Sequence, residues 1–125
     1  MDFNDKKVIY LQIADYVNDH ILLGEWKGED KIPSVRDLAV TLQVNPNTVM
    51  RAYDFLQQRG IIYNKRGMGN YVSANAGEKI SSHRREHFLN TELPPVFRTI
   101  YTLGISFDEL HRLYNRYVKG NFTNK

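Results

Sequence analysis

Asn45, Asn47, Thr48 and Arg51 crowd into seven residues behind a turn, and their side chains share one kind of chemistry. A carboxamide donates and accepts at once, so it can pair with both groups on an adenine edge, while a guanidinium can grip a phosphate. Further on, Lys65 and Arg66 stand beside Gly67 and Gly69, which would let the backbone approach a surface closely. Arrangements for covalent chemistry do not stand out. No glycine-rich phosphate loop joins a strand, no nucleophile pairs with a base, and the absence of cysteine leaves no disulfide framework or thiolate metal site. His83-Arg84-Arg85-Glu86-His87 matches the pattern of one class of zinc peptidase, but no third carboxylate ligand is evident and no substrate cleft can form. These positions read as a solvated helix surface, with adventitious metal at His83 and His87 left open. Neither a resident metal, a cofactor nor an enzymatic activity is expected.

The rest of the chain must position those side chains. Its 125 residues suffice for one ordinary domain, or a small one with an appendage. Apolar residues make up 42% and charged residues 25%, ordinary values for a soluble fold. No run approaches the roughly 18 apolar residues of a membrane span, and the Asp-bearing start is not a signal peptide, so a cytoplasmic protein is expected. Net charge is only +3, but its distribution is uneven. Residues 1–30 carry three basic groups (Lys6, Lys7, Lys27) against seven acids, whereas residues 31–75 carry six (Lys31, Arg36, Arg51, Arg59, Lys65, Arg66) against Asp37 and Asp54. Positive charge gathers where the candidate residues lie, as a phosphate backbone requires, although a solvated charged face would look alike on charge alone.

Tyr10, Ile13, Ala14, Val17 and Ile21 recur at helical spacing, with Asp15, Asn18 and Asp19 assigned to the opposite face, and Gly24 ends this scaffold helix. Trp26 in the following loop is expected to plug the edge of the core. Ser34 caps a second helix with Asp37 three residues on, and Val35, Leu38, Ala39 and Leu42 face inward. Gln43-Val44 turns the chain. Asn45 then caps a third helix whose first residue is Pro46, burying Val49, Ala52, Tyr53 and Leu56 and ending at Gly60. Asn47, Met50, Arg51 and Asp54 remain on its free face. Asn47 is the best candidate to read a base; for Asn45, capping is at least as good a reading, and both roles can hold through different atoms. Ile61–Asn64 and Asn70–Ser73 read as strands joined by the five residues Lys65–Gly69, a wing with a basic tip.

Beyond Asn75, Leu89, Leu93, Val96, Phe97, Ile100 and Leu103 form an amphipathic helix ending at Gly104, with Pro94-Pro95 interrupting it after about Glu92. Ser106 caps a last helix faced by Phe107, Leu110, Leu113, Tyr114 and Tyr117. So few residues bury little alone, and the simplest burial is against a second copy across a two-fold axis. Folding back onto the same chain is the alternative. The fold class expected is mostly α with a small β-hairpin: a winged helix-turn-helix over residues 1–75, a helical dimerisation region over 76–120, and a disordered tail at 121–125.

From about Val8 to Ser73 the chain resembles the DNA-binding domain of the GntR family of bacterial transcription regulators. The carrying residues are Tyr10-x-Gln12-Ile13, Gly24-x-Trp26-x-Gly28, Ile32-Pro33-Ser34-x-Arg36-x-Leu38-Ala39, Asn47-Thr48-Val49, Gly60 and Gly67-x-Gly69-x-Tyr71-Val72. The turn at Val44–Val49 and the short tail are similar to the YtrA-type branch. The resemblance implies a homodimer on a palindromic operator, with the third helix in the major groove and the wing tip at the minor groove. It also implies control of a nearby operon, often one encoding an ABC transporter, and repression is the expected mode. The DNA contacts expected are Ser34, Arg36, Asn45, Asn47, Thr48, Arg51, Lys65, Arg66, Gly67 and Gly69. The dimer contacts expected are Leu89, Leu93, Phe97, Ile100, Leu103, Leu110, Leu113, Tyr114 and Tyr117. Many family members carry Arg where this chain has Pro46 and Met50, so its operator need not match theirs. The tail is too short to enclose a metabolite, and any small-molecule inducer is unknown. The competing reading is a winged helix that docks proteins without DNA, which would have no need of a cationic helix start and a cationic hairpin tip together.

Overall fold

The computed structural model describes residues 8–122, so Lys6, Lys7 and the Asp-bearing start lie outside the described residues, as do residues 123–125. The chain divides into two compact units between His83 and Arg84. In the first, α1 (Ile9–Leu22), α2 (Val35–Leu42) and α3 (Pro46–Gln58) precede a hairpin of β1 (Ile62–Lys65) and β2 (Gly69–Val72), and α4 (Ala76–His87) begins there and runs across the division. Ala76 and Ile80 are buried with the first unit's core, which carries that unit past the Asn75 limit read from sequence.

The core is built where the spacing puts it. Ile13, Ala14, Val17 and Ile21 of α1, Leu38, Ala39 and Leu42 of α2, and Val49, Ala52, Tyr53 and Leu56 of α3 are all buried. The Val, Leu and Ile side chains among them each contribute about 1.5–3 kcal/mol when fully buried. Ile61, Ile62 and Val72 close the cluster from the hairpin, and Trp26 packs half-buried at its edge, stacked on His20 at 4.5 Å. Asn18 is buried, not on the polar face, because it lies four residues after Ala14 and three before Ile21, inside the apolar stripe.

Local chemistry sets the helix ends. Ser34 Oγ accepts the Asp37 N–H at 3.0 Å, and Asn45 Oδ1 accepts the Asn47 N–H at 2.7 Å with Pro46 at the first position of α3. α3 closes by a Schellman motif: the Gly60 N–H donates to Gln57 O and the Ile61 N–H to Leu56 O, both at 3.0 Å. Gly60 takes φ +74° to do so, and the Lys79 ammonium of α4 donates to its carbonyl at 3.4 Å. Between α2 and α3, Gln43 supplies the left-handed residue of the turn at φ 57°.

Tyr53 couples the two motif helices. Its buried hydroxyl donates to Pro33 O at 2.7 Å, holding the lead-in to α2 against α3, and burial pushes the phenol's pKa well above its ordinary value. Tyr53→Phe leaves that carbonyl without its donor and should cost about 1 kcal/mol. A urea unfolding curve reads this as a lower midpoint at unchanged slope; an unchanged midpoint would mean the bond adds nothing.

The hairpin is antiparallel with Ile62 opposite Val72 and Lys65 opposite Gly69, so Lys65 and Gly69 belong to the strands. The loop is therefore Arg66-Gly67-Met68, shorter than the five residues expected, because the Met68 N–H closes back on Lys65 O at 2.8 Å. Gly67 takes φ +76°, as the third position of a type II turn demands. Residues 29–32 run along the other edge of β2, with the Ile32 N–H donating to Asn70 O at 2.9 Å and Lys31 bridged to Tyr71.

In the second unit, a π-helical turn (Phe88–Glu92) leads into α5 (Leu93–Thr102), and α6 (Phe107–Asn121) follows. Pro94 and Pro95 have no N–H to give the carbonyls four residues back, and the helix answers by widening: the Leu93 N–H donates to Phe88 O, five residues away. Leu89 consequently sits in the π turn, not in α5. Ser106 Oγ caps α6 by accepting the Glu109 N–H at 3.1 Å. Asn121, read from sequence as part of a disordered tail, is helical, and Phe122 is its cap.

Candidate nucleic-acid interface

The cap at Asn45 fixes what the start of α3 presents. Oδ1 is committed to the Asn47 N–H, and the Thr48 N–H is bonded to the Asn45 carbonyl at 2.9 Å, so the first turn is closed by its own hydrogen bonds. Asn45 and Asn47 are exposed and Thr48 is half-buried. Arg51 follows one turn later, exposed, with its guanidinium over the Tyr10 ring at 4.2 Å from the centroid. Val8, Ile9 and Tyr10 of the α1 start join Asn47, Thr48 and Arg51 around an open recess of about 450 Å³. Met50 and Asp54 are exposed on the same helix.

On α2, Ser34 and Arg36 are exposed, with the Ser34 hydroxyl used as the cap and Arg36 in the first turn. Among the described residues, no carboxylate forms an ion pair with Arg36, Arg51, Lys65 or Arg66.

At the wing, Lys65 holds its ammonium over Tyr71 at 4.5 Å, and Tyr71 stacks on its cross-strand partner Tyr63 at 5.8 Å. The Tyr63 hydroxyl donates to the Glu29 carboxylate, and that hydrogen bond is the main reason its pKa is raised. Arg66, Gly67 and Met68 form the exposed tip. Gly69 takes φ +116°, a conformation that disfavours a side chain, and the flexible Lys31 side chain lies against it. The wing is tied to α3 through Gln57, whose Nε2 donates to Asn70 Oδ1 at 2.9 Å.

Three residues escaped the sequence reading of the site. Lys31 was counted among the basic groups but not placed at the wing, since its neighbour Tyr71 is 40 positions away. Tyr10 belongs to the core stripe and to the Tyr-x-Gln-Ile motif in sequence, neither of which assigns it a place at the interface. Arg59 was counted likewise, and lies over the Phe55 ring at 4.4 Å. The settings of Lys31 and Tyr10 come from the fold, whereas Arg59 and Phe55 are one helical turn apart at the end of α3.

In the second unit, no described residue from Arg84 onward is buried. Leu89, Phe97, Leu103, Leu113, Tyr114 and Tyr117 are exposed, and Leu93, Ile100 and Leu110 are only half-covered. His83 is half-buried on α4, while the exposed His87 Nε2 lies 3.4 Å from a Glu92 carboxylate oxygen. Among the described residues no three His, Asp or Glu side chains gather as a metal site would need, and no helix is long and apolar enough to cross a membrane.

Two motif helices, a capped and exposed third-helix start, and a basic hairpin beside it define a winged helix-turn-helix protein. Residues 9–72 match the family described as bacterial regulatory proteins, gntR family. The HTH-type transcriptional repressor YtrA of Bacillus subtilis is 36% identical over 103 residues, covering 82% of this chain and 78% of that protein. A crystal structure of a GntR-family protein from Bacteroides thetaiotaomicron superposes with a TM-score of 0.82 at 49% identity, covering 90% of this chain and 97% of that one. The DNA-binding domain of AraR in complex with operator ORR3 is also similar, with a TM-score of 0.50 at 26% identity over 51% of this chain and 77% of that one. The chain belongs to the GntR family of DNA-binding transcription regulators.

Proposed function

We propose that this protein is a non-catalytic repressor of the cytoplasm that binds a palindromic operator as a homodimer. The observation that carries the reading is the start of α3, where exposed Asn47 stands on a capped first turn beside the exposed Arg51 guanidinium. Asn47 reads an adenine edge in the major groove, and Arg36 and Arg51 hold the backbone on either side. Lys65, Arg66 and the two wing glycines meet the backbone or a narrow minor groove. The complex of AraR with its operator supports the mode of binding. The apolar, uncovered faces of α5 and α6 support pairing with a second copy, with Leu89 of the π turn included. The family resemblance further suggests an operon encoding an ABC transporter as the target.

Asn47→Ala tests the reading. On an operator fragment selected from the source genome, a mobility-shift assay should show affinity lower by about 1–3 kcal/mol, with little change on random DNA. Equal binding by parent and variant on the operator would remove Asn47 from the base contacts.

A further inference from the structure

We infer that Tyr10, on α1, is a positioning residue of the DNA interface, holding the Arg51 guanidinium at the angle from which it grips a backbone phosphate. This deepens the function proposed above and rests on it. Tyr10 belongs to the Tyr-x-Gln-Ile motif, and a place in the core accounts for only part of its setting. Its ring is half-buried and does not join the fully buried cluster. One face carries the Arg51 guanidinium at 4.2 Å. Phe55, one helical turn beyond Arg51, packs edge-on against the same ring at 6.0 Å and 72°. Tyr10 is thus clamped by two residues of α3, and its free face has become a seat for one of them.

Such a seat matters because of what Arg51 would otherwise do. An exposed Arg samples many rotamers, and ordering it on a phosphate costs side-chain entropy. A cation held over an aromatic face has already lost much of that freedom. The interaction uses the flat face of the guanidinium and leaves its N–H edges free, and those edges are what meet phosphate oxygens. No carboxylate among the described residues competes for the charge. The position is also suitable: Tyr10 and Arg51 line the open recess that Asn47 and Thr48 share, so a backbone following the base-reading turn passes beside the seated cation. The reading surface therefore includes the start of α1.

The test uses the full chain, an operator fragment and random DNA, with affinity measured by mobility shift at several salt concentrations. Arg51→Ala should flatten the salt dependence by about one unit of slope. Tyr10→Leu should weaken binding about threefold to tenfold, by the same factor on both DNAs, since the contact it supports reads no base. Tyr10→Phe keeps the ring and should bind like the parent. In an Arg51→Ala background, Tyr10→Leu should have no further effect, which separates positioning from a general loss of fold; urea unfolding midpoints of each variant provide a second control. The inference is overturned if Tyr10→Leu binds like the parent. It is overturned equally if Tyr10→Leu weakens binding as much without Arg51 as with it, or if Tyr10→Phe is as weak as Tyr10→Leu. A parent that binds no DNA would remove the underlying function as well, an outcome distinct from all of these.

Discussion

Replacing Lys65 and Arg66 together by alanine is expected to weaken binding to every DNA, operator and random alike, on the order of 100-fold at moderate salt, about tenfold for each charged contact. Neither side chain reads a base in this account, so the ratio of operator to random affinity should hardly move. Each contact releases close to one counterion, and the plot of log affinity against log salt should lose about two units of slope. Folding is not at risk, because both residues are exposed and the register of the hairpin is held by the buried pair Ile62 and Val72. Lys65 does give up its place over Tyr71, but that ring keeps Tyr63 against it. Salt titration of both proteins on one fragment measures the effect. A parent-like slope in the variant would mean the wing stands off the duplex.

Leu113→Asp with Tyr117→Asp in α6 is expected to give a monomer whose operator affinity falls by at least about 100-fold. The two residues lie one turn apart on the same helix face, 45% and 61% exposed in the single chain. A charge there costs the lone chain little, since both positions already face water, but it cannot be buried against a second copy without a large desolvation penalty. Losing the partner turns a tethered second half-site into an independent one, and the effective-concentration advantage of linked binding, typically 10²- to 10⁴-fold, disappears. Random-sequence binding by a single winged helix should survive at its own weak level. Sedimentation gives the mass and a mobility shift gives the affinity. A variant that still sediments as a pair would place the interface elsewhere than on α6.

How much of this was legible in the chain depended on how local the chemistry is. Ser34 with Asp37, Asn45 with Pro46, and Gly60 announced their helix ends because a cap is made within three or four residues. The inward faces of α2 and α3 followed from their spacing for the same reason. Asn18 shows where residue type misleads: a polar side chain suggests the outer face, but its helical position, shared with Ala14 and Ile21, buries it. Pro94 and Pro95 foretold an interruption, yet whether the backbone would kink or widen into a π turn was not written in two missing N–H groups. Contacts that join distant segments were out of reach. Arg51 over Tyr10 spans 41 positions, and Lys31 against Gly69 spans 38, and both depend on how α1 and the hairpin come to lie beside α3.

Footprinting the parent protein on an operator fragment selected from the source genome tests the two-fold reading most directly. Two copies of the chain should be found per duplex, protecting two symmetry-related patches whose centres are about one helical turn, or a multiple of it, apart. A single protected patch with one chain bound, or uniform coverage with no preferred site, would contradict it.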